Sequence, residues 1–102
     1  MQDNYALVVI VPLEIKDELI DTLMGLTEIS GFSMTEIAGY SREHAQYSQR
    51  EQVEGYRTLC RFEILHTLEH RAQLLEALEP SCCVARARYW ITEVVEHGHF
   101  GN

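Results

Sequence analysis

The most restrictive feature of this chain is a continuous apolar run near its start, YALVVIVP at residues 5–12. The run is largely β-branched and stops at Pro12, a pattern that predicts a β-strand. Both faces of this strand are apolar, one with Ala6, Val8 and Ile10 and the other with Leu7, Val9 and Val11. Such a strand has to be covered on both sides, so the chain needs more than one layer around its sheet.

The segments after this strand alternate between helix and strand patterns. Residues 13–26 place apolar side chains at helical spacing opposite an acidic face, which predicts an amphipathic helix. Residues 32–40 and 56–67 alternate as strands. A second helix is predicted at 68–80, with Thr67 as its N-cap and Pro80 after its end, and a fourth strand at 82–95. The order β-α-β-β-α-β predicts an α+β, ferredoxin-like sandwich in a single domain, 1–102.

Two helices cover only one face of a four-stranded sheet, so the other face is predicted to be open. The helices are expected to bury Ile15, Leu19, Ile20, Leu23 and Met24 from the first, and Leu68, Ala72, Leu75 and Leu78 from the second. The open face should expose half of the first strand together with Leu59, Leu65, Val84 and Trp90. A patch of that size predicts an oligomer in which open faces meet. The alternative is a half-exposed first strand that a monomer tolerates.

Charge and composition exclude several classes of protein. The formal net charge is −8 and Lys16 is the only lysine, which argues against nonspecific nucleic-acid binding. No apolar run approaches the roughly 20 residues of a membrane span, so direct membrane insertion is not expected. The apolar N-terminal run lacks a basic flank, and we interpret the chain as cytoplasmic. Three cysteines make no disulfide framework; reduced thiols are expected, and a metal or redox role for adjacent Cys82 and Cys83 stays open.

The segment GFSMTEIAGYSR, residues 31–42, resembles the second strand of the PII signalling proteins, approximately Gly-Met-Thr-Val-Thr-Glu-Val-x-Gly-Phe-Gly-Arg. The identical residues are Gly31, Thr35, Glu36, Gly39 and Arg42, and Met34, Ile37 and Tyr40 match by type. More loosely, ITEVVEHGHFG at 91–101 resembles the closing segment of those proteins. The resemblance covers the whole domain and implies a PII-like homotrimer whose sheets face inward.

The resemblance also implies a regulatory role. Residues 41–54 would be a shortened T-loop, the segment with which PII proteins contact a protein partner such as a transporter or an enzyme. Tyr47 lies within it, as a modifiable tyrosine does in some PII loops. Its other interpretation is a solvated hairpin loop without function. The resemblance predicts a signalling protein that binds a small effector, a metal ion or a nucleotide, in the cleft between subunits.

Nucleotide binding in the PII manner is not expected. PII proteins hold ATP or ADP with a glycine-rich loop and a lysine between the second helix and the last strand. This chain has EPSC at 79–82 in that place, without glycine or lysine, and backbone N–H groups and cations are what hold phosphates. Of the PII-type positions, Arg42 is retained.

The histidines point to a second kind of effector. His97 and His99 are two residues apart, so an extended backbone places both imidazoles on one side, within reach of one ion; in a PII-like trimer, His44 of a neighbouring subunit would complete the set. Imidazoles suit Cu²⁺, Zn²⁺ or Ni²⁺. The alternative is a mobile, solvated tail. The PII-like superfamily includes divalent-cation tolerance proteins and members found beside heavy-metal efflux systems, which favours a metal-binding or metal-tolerance protein as the alternative function.

No residue set predicts catalysis. Ser41, Ser48 and Ser81 have no assigned base and no Gly-x-Ser-x-Gly motif occurs. Glu93 and Glu96 are interpreted as a solvated acidic face. We therefore predict a protein that is not an enzyme, with Arg42, His44, His97 and His99 lining its effector cleft.

Overall fold

The computed structural model describes residues 4–40 and 55–101. In this part of the chain the elements follow as β1 (Tyr5–Pro12), α1 (Lys16–Met24), β2 (Phe32–Gly39), β3 (Arg57–His66), α2 (Arg71–Ala85) and β4 (Arg88–Glu93). Short 3-10 turns at Leu13–Ile15 and Leu68–His70 lead into the two helices. The predicted β-α-β-β-α-β order is confirmed.

The strands form one antiparallel sheet in the order β2-β3-β1-β4. β1 is an inner strand, in which Val8 pairs with Glu63 on β3 and with Trp90 on β4. This inner position accounts for its apolar composition on both faces. β2 and β4 form the two edges of the sheet.

The core lies between the helices and one face of the sheet. Its centre is Phe62, which is fully buried, as are Leu7 of β1 and Leu19 of α1. Complete burial of a Leu or Phe side chain stabilises a fold by about 1.5–3 kcal/mol. The buried members of this cluster are Leu7, Val9, Val11, Leu19, Leu23, Cys60, Phe62, Ile64, Leu74 and Leu78.

α1 buries a narrower stripe than its sequence predicts. Leu19 and Leu23 are buried, and Ile15 and Ile20 pack at the edge of the core. Met24 is 72% exposed, so its predicted burial is wrong. It lies about 100° around the helix axis from Leu23, which turns its side chain out of the interface.

α2 extends farther than predicted, and it does so through a proline. The prediction that the helix stops at Pro80 and that a strand covers 82–95 is wrong: the helix ends at Ala85 and β4 spans only Arg88–Glu93. Leu74, Leu78 and Cys82 stand four residues apart and all contact the core. Their packing maintains the helix across Pro80, which lacks the N–H that would donate to the carbonyl four residues earlier.

The buried stripe of α2 is also displaced from the predicted one. Leu78 is buried and Leu75 is half-buried, as expected, but Leu68 is 61% exposed, Ala72 is exposed, and Leu74 is the second buried residue. The cause is the 3-10 turn at Leu68–His70, because the tighter winding of such a turn changes the angular position of every residue after it. Thr67 occupies the N-cap position of that turn rather than of α2, and it makes no side-chain capping hydrogen bond; its Oγ1 lies 3.3 Å from Nδ1 of His70.

α2 ends in a Schellman motif built on a residue other than glycine. Arg86 has φ +52°, and its N–H donates to the carbonyl of Cys83 at 3.1 Å. The N–H of Ala87 donates to the carbonyl of Cys82 at 3.0 Å. These two bonds satisfy the last helical carbonyls and hold the backbone of both cysteines in place. The left-handed conformation of an arginine costs about 1–2 kcal/mol.

Candidate functional site

The face of the sheet opposite the helices is not covered by any element in the described part of the chain. Its residues form four rows across the strands. Ile10 of β1 lies between Arg61 and Arg88, and Val8 lies between Glu63 and Trp90. We call this surface the open face; its rows are Ile37–Leu59–Pro12, Thr35–Arg61–Ile10–Arg88, Ser33–Glu63–Val8–Trp90 and Leu65–Ala6–Thr92.

Fewer apolar side chains are exposed on the open face than the sequence predicts. Ala6 and Val8 are only 4% and 2% exposed, at inner positions of the sheet with a strand on either side. The predicted exposure of half of β1 is therefore wrong for these two residues. Val84 does not belong to this face either, since it lies on α2 and is 87% exposed there. Trp90, which is 41% exposed, is the most exposed large apolar side chain of the face.

The charges of the open face are concentrated in its two middle rows. Nη1 of Arg61 donates to Oε1 of Glu63 at 3.5 Å, and both side chains are about two-fifths exposed. Arg88 is on the opposite side of Ile10 from Arg61. An exposed ion pair such as Arg61–Glu63 contributes little to stability in water. When a second protein surface covers it, it contributes strongly to the choice of partner.

Gly39 occupies a strand position with no room for a side chain. A Cβ at this position would overlap the Leu59 side chain on β3. Gly39 closes β2, and its pairing with Arg57 is the last of the β2–β3 ladder. The glycine of the PII-like motif therefore sets how closely β2 and β3 approach where residues 41–54 leave the sheet.

Two tyrosines flank the same end of the sheet. The rings of Tyr40 and Tyr56 lie 5.9 Å apart between centroids, tilted by 50°, although Tyr40 is 74% exposed. Aromatic pairs at this distance are favourable, so this contact holds the end of β2 beside the start of β3. The predicted residues Arg42, His44 and Tyr47, and the whole of 41–54, lie outside the described residues.

A cleft that the sequence did not predict lies beside this end of the sheet. It has a volume of about 320 Å³ and is lined on one side by Arg57 and on the other by Glu18 and Ser81. The Ser81 hydroxyl donates to a carboxylate oxygen of Glu18, which links α2 to α1. The helical extension that brings Ser81 here was not predicted, so this cleft had no signal in the sequence.

The C-terminal segment begins at the opposite end of the sheet. Tyr5 pairs with both His66 and Glu93, and the Val94 N–H donates to the Asn4 carbonyl at 2.8 Å. From Arg57 to His66, β3 spans roughly 30 Å at about 3.3–3.4 Å per residue. His97 and His99 therefore follow one end of the sheet, while residues 41–54 follow the other.

His97 and His99 are both exposed in this segment, as is Phe100. Within residues 4–40 and 55–101, no three His, Cys, Asp or Glu side chains stand close enough to hold a metal ion together. The described part of one chain therefore supplies two imidazoles here, and any further protein ligand has to come from another subunit or from residues outside 4–40 and 55–101.

A second cleft, lined by two thiols, lies between α2 and β4. We call it the thiol cleft: it measures about 190 Å³, its floor is Leu7, Val9, Leu75, Leu78 and Ala87, and its rim is Glu79, Cys82, Cys83, Arg86 and Tyr89. Burial, together with the carboxylates of Glu79 and Glu18, raises the pKa of Cys82. A hydrogen bond to Glu79 and the negative charge of that carboxylate raise the pKa of exposed Cys83. The sequence predicts the two adjacent cysteines on a strand, whereas they lie on a helix.

His66, at the end of β3, is buried. It is 1% exposed, Nε of Arg71 donates to its Nε2 at 3.4 Å, and its Nδ1 lies 3.3 Å from the Ile64 carbonyl. His70 is partly exposed and lies 3.4 Å from a carboxylate oxygen of Glu69. Since their surroundings differ, the two histidines do not form one site.

None of the helices within 4–40 and 55–101 is long and apolar enough to cross a membrane.

Comparisons with known proteins agree with this fold. The model of a family described as a protein of unknown function, DUF3240, matches residues 1–101. The crystal structure of a DUF3240 family protein from Shewanella baltica OS155 at 2.40 Å resolution is 39% identical, with a TM-score of 0.81 over 99% of this chain and 100% of that chain. No curated protein matches the chain.

A more distant structure has the same fold. It is CPII, a nitrogen regulatory PII-like protein from Thiomonas intermedia K12, bound to ADP, AMP and bicarbonate. It is 16% identical, with a TM-score of 0.67 over 94% of this chain and 96% of that chain. The PII-like, ferredoxin-like fold predicted from residues 31–42 is thereby confirmed.

Proposed function

The chain belongs to the DUF3240 family and has a PII-like fold, and from this premise we propose that it is a regulatory protein. Three copies assemble through their open faces and bind a small effector in the clefts between them. Residues 41–54 report the bound state to a protein partner such as a transporter. The protein acts by binding, without a catalytic step.

The open face carries the proposal. It is a four-stranded surface without a helical layer. Trp90 is 41% exposed on it, and several aliphatic side chains of the face are half-buried. A second copy would remove this area from water and bring Arg61, Glu63 and Arg88 opposite their counterparts. A continuous uncovered sheet face is where a partner surface is expected.

The effector cleft requires more than one subunit. His97 and His99 follow one end of the sheet, and the strand ends that flank Arg42 and His44 are at the other. Assembly brings the C-terminal segment of one subunit to the loop end of its neighbour. Arg42 then offers a planar, bidentate group to an anion, and the imidazoles offer metal ligands.

The structure supports a metal ion over a nucleotide as the effector. CPII is bound to ADP and AMP, but residues 79–82 of this chain are part of α2 rather than a loop. The N–H groups inside a helix are already bonded and cannot surround a phosphate. Exposed His97 and His99 therefore favour a second candidate function, a heavy-metal-binding or tolerance protein that binds Cu²⁺, Zn²⁺ or Ni²⁺.

Assembly is tested by light scattering of the purified protein at micromolar concentration. A trimer is expected, and Trp90→Arg should dissociate it because a charge would be buried in the interface. Met24→Arg places the same charge on the exposed side of α1 and should leave the trimer intact. A monomeric wild-type protein contradicts the proposal, as does a Trp90→Arg variant that is folded by circular dichroism and still trimeric.

The effector is tested by thermal unfolding with Cu²⁺, Zn²⁺, Ni²⁺, ADP and ATP. A ligand that prefers the native state raises the unfolding midpoint in a concentration-dependent manner. We expect a rise with a metal ion that His97→Ala combined with His99→Ala abolishes, and that His70→Ala preserves. A rise with nucleotide that Arg42→Ala abolishes would instead assign a nucleotide effector. If no ligand of this panel shifts the midpoint, the effector part of the proposal is wrong.

A further inference from the structure

We propose that the thiol cleft binds one soft, thiol-seeking metal or metalloid centre of low coordination number, such as Cu(I), Hg(II) or a monosubstituted As(III), through the sulfurs of both Cys82 and Cys83. The site uses none of Arg42, His44, His97 or His99. It therefore stands independently of the proposed effector cleft.

Both cysteines line the same cleft, on a backbone that hydrogen bonds hold in place. The carbonyls of Cys82 and Cys83 accept the two hydrogen bonds of the Schellman motif, from Ala87 and Arg86. The last turn of a helix frays when its carbonyls are unsatisfied, and here these two are bonded. The cysteine pair is thus held against the cleft instead of moving with a free helix end.

The spacing of the two cysteines favours a bridging atom over a disulfide. Adjacent Cα atoms are about 3.8 Å apart across a trans peptide, which is shorter than the roughly 4.4–6.8 Å that an unstrained disulfide spans. A single large atom between the two sulfurs enlarges the ring that a disulfide of adjacent cysteines would close and allows a wider separation of the sulfurs, which relieves this strain. The thiols are free in the structure, Cys82 partly buried and Cys83 exposed.

The number of ligands selects the class of ion. In the described part of the chain no trio of His, Cys, Asp or Glu side chains is placed to share an ion, whereas structural Zn²⁺ requires four ligands. Two sulfurs suffice for Cu(I), for Hg(II) and for an arsenic that carries one organic substituent. Thiolates select soft ions of this type over Mg²⁺ or Ca²⁺.

Apart from Arg86 on its rim, the rest of the cleft suits a centre that is positive and weakly hydrated. The floor is aliphatic, and Tyr89 forms one side of the opening. The cysteines lie at the C-terminal end of α2, where the helix dipole favours positive charge. Glu79 is bonded to the Cys83 thiol and contributes a further negative charge beside the sulfurs.

The reaction with phenylarsine oxide balances without an oxidant. Two S–H bonds and the As=O bond break, two As–S bonds form, and the oxygen leaves as water with both protons. Arsenic stays trivalent and neither sulfur is oxidised. A single thiol cannot complete this ring, so the adduct reports that both sulfurs bind the same atom.

Intact-protein mass spectrometry with phenylarsine oxide, in excess 2-mercaptoethanol, tests the site. One adduct per chain is expected, with the mass of the reagent less one water. Cys82→Ser and Cys83→Ser should each abolish it, whereas Cys60→Ser, which alters the fully buried thiol, and the His97→Ala/His99→Ala variant should retain it. An adduct that survives Cys82→Ser, or its absence from the wild type, overturns the proposal.

Thermal unfolding of the same samples tests whether the folded cleft contributes. A reagent that binds the native cysteine pair better than the unfolded pair raises the midpoint. We expect a rise in the wild-type protein and none in Cys83→Ser. An adduct that forms but leaves the midpoint unchanged or lowered would show that any adjacent cysteine pair suffices, and the cleft would have no binding role.

Discussion

The guanidinium carbon of Arg71 lies 4.5 Å from the centroid of the Tyr5 ring. Arg71 is the first residue of α2 and Tyr5 the first of β1, so this contact joins the start of the helix to the central strand. The same guanidinium donates to buried His66. One side chain thus satisfies a buried polar group and a cation–π contact together.

Arg71→Met is therefore expected to destabilise the protein by about 1–3 kcal/mol. The variant keeps a long apolar stem but loses the cation–π contact and the hydrogen bond from Arg71 to Nε2 of buried His66. Urea unfolding followed by circular dichroism measures the loss. Gln73→Met, on an exposed position of the same helix, is the control and should change stability by less than about 0.5 kcal/mol. Equal stability of the two variants would contradict this account.

Gly39→Ala and Gly31→Ala form a matched pair at the two ends of β2. An added methyl group at Gly39 meets the Leu59 side chain, whereas nothing lies within 4 Å of the corresponding position at Gly31. Gly39→Ala should cost about 1–3 kcal/mol through overpacking. Gly31→Ala should be neutral or slightly stabilising, because it lowers the entropy of the unfolded chain. Thermal unfolding of both variants decides, and a harmless Gly39→Ala would show that Leu59 moves freely.

Pro80→Ala should stabilise the protein. Pro80 lies in the interior of α2, where a proline costs about 3 kcal/mol through the missing hydrogen bond and the clash of its ring. Alanine restores the bond to the Glu76 carbonyl, and the greater freedom of the unfolded chain offsets about 0.4–1 kcal/mol of the gain. A net increase of about 2 kcal/mol in the free energy of unfolding is expected. No change, or a loss, would indicate that the proline itself is needed for the packing of α2.

Glu79→Gln should increase the alkylation rate of Cys83 near pH 8. The hydrogen bond and the negative charge of Glu79 raise the pKa of this thiol, so the native protein holds less thiolate than an ordinary cysteine, whose pKa is about 8.5. Neutralising Glu79 lowers the pKa, and the pH at which the rate is half-maximal moves down. Iodoacetamide labelling with peptide mass spectrometry from pH 7 to 10 measures it. Glu76→Gln, also exposed on α2, serves as the control, and identical profiles for all three proteins would refute the role of Glu79.

The sign of the corresponding effect on stability follows from the same pKa values. Folded-state pKa values above the unfolded ones mean that the native protein retains protons that the unfolded chain loses. For Cys60 and Cys82, whose pKa values burial raises, this contribution is complete at neutral pH. It is lost as the pH rises above about 8.5, so stability should fall in alkaline solution.

Much of the fold could be predicted because local patterns and tertiary packing agree. The β-branched run at 5–12 predicts β1, and the alternation around Phe62 predicts which face of β3 is buried. The PII-like motif at 31–42 predicts the PII-like fold, and one of its residues now has a structural reason, since Gly39 lies against Leu59. Where the apolar periodicity of a strand matches its buried face, the local sequence of that strand is enough to predict it.

The candidate site could be predicted only in part. His97 and His99 are exposed near the end of the chain, and their role as ligands stays a prediction. The thiol cleft and the cleft beside Arg57 depend on a helix that continues past Pro80. A proline is a strong local stop signal. The contacts of Leu78 and Cys82 with the core keep the helix intact past this proline, and the strength of such contacts cannot be predicted from the local sequence.

The sequence by itself determined the order of the elements, the apolar centre of the sheet and the PII-like fold, because each depends on side chains close together in the chain. Only the tertiary structure decided that α2 reaches Ala85, that β4 begins at Arg88 and that Cys82 and Cys83 share a cleft. The physical reason is that these features depend on packing between α2 and β1, which are distant in sequence. Such contacts outweigh local propensity when they remove enough apolar surface from water.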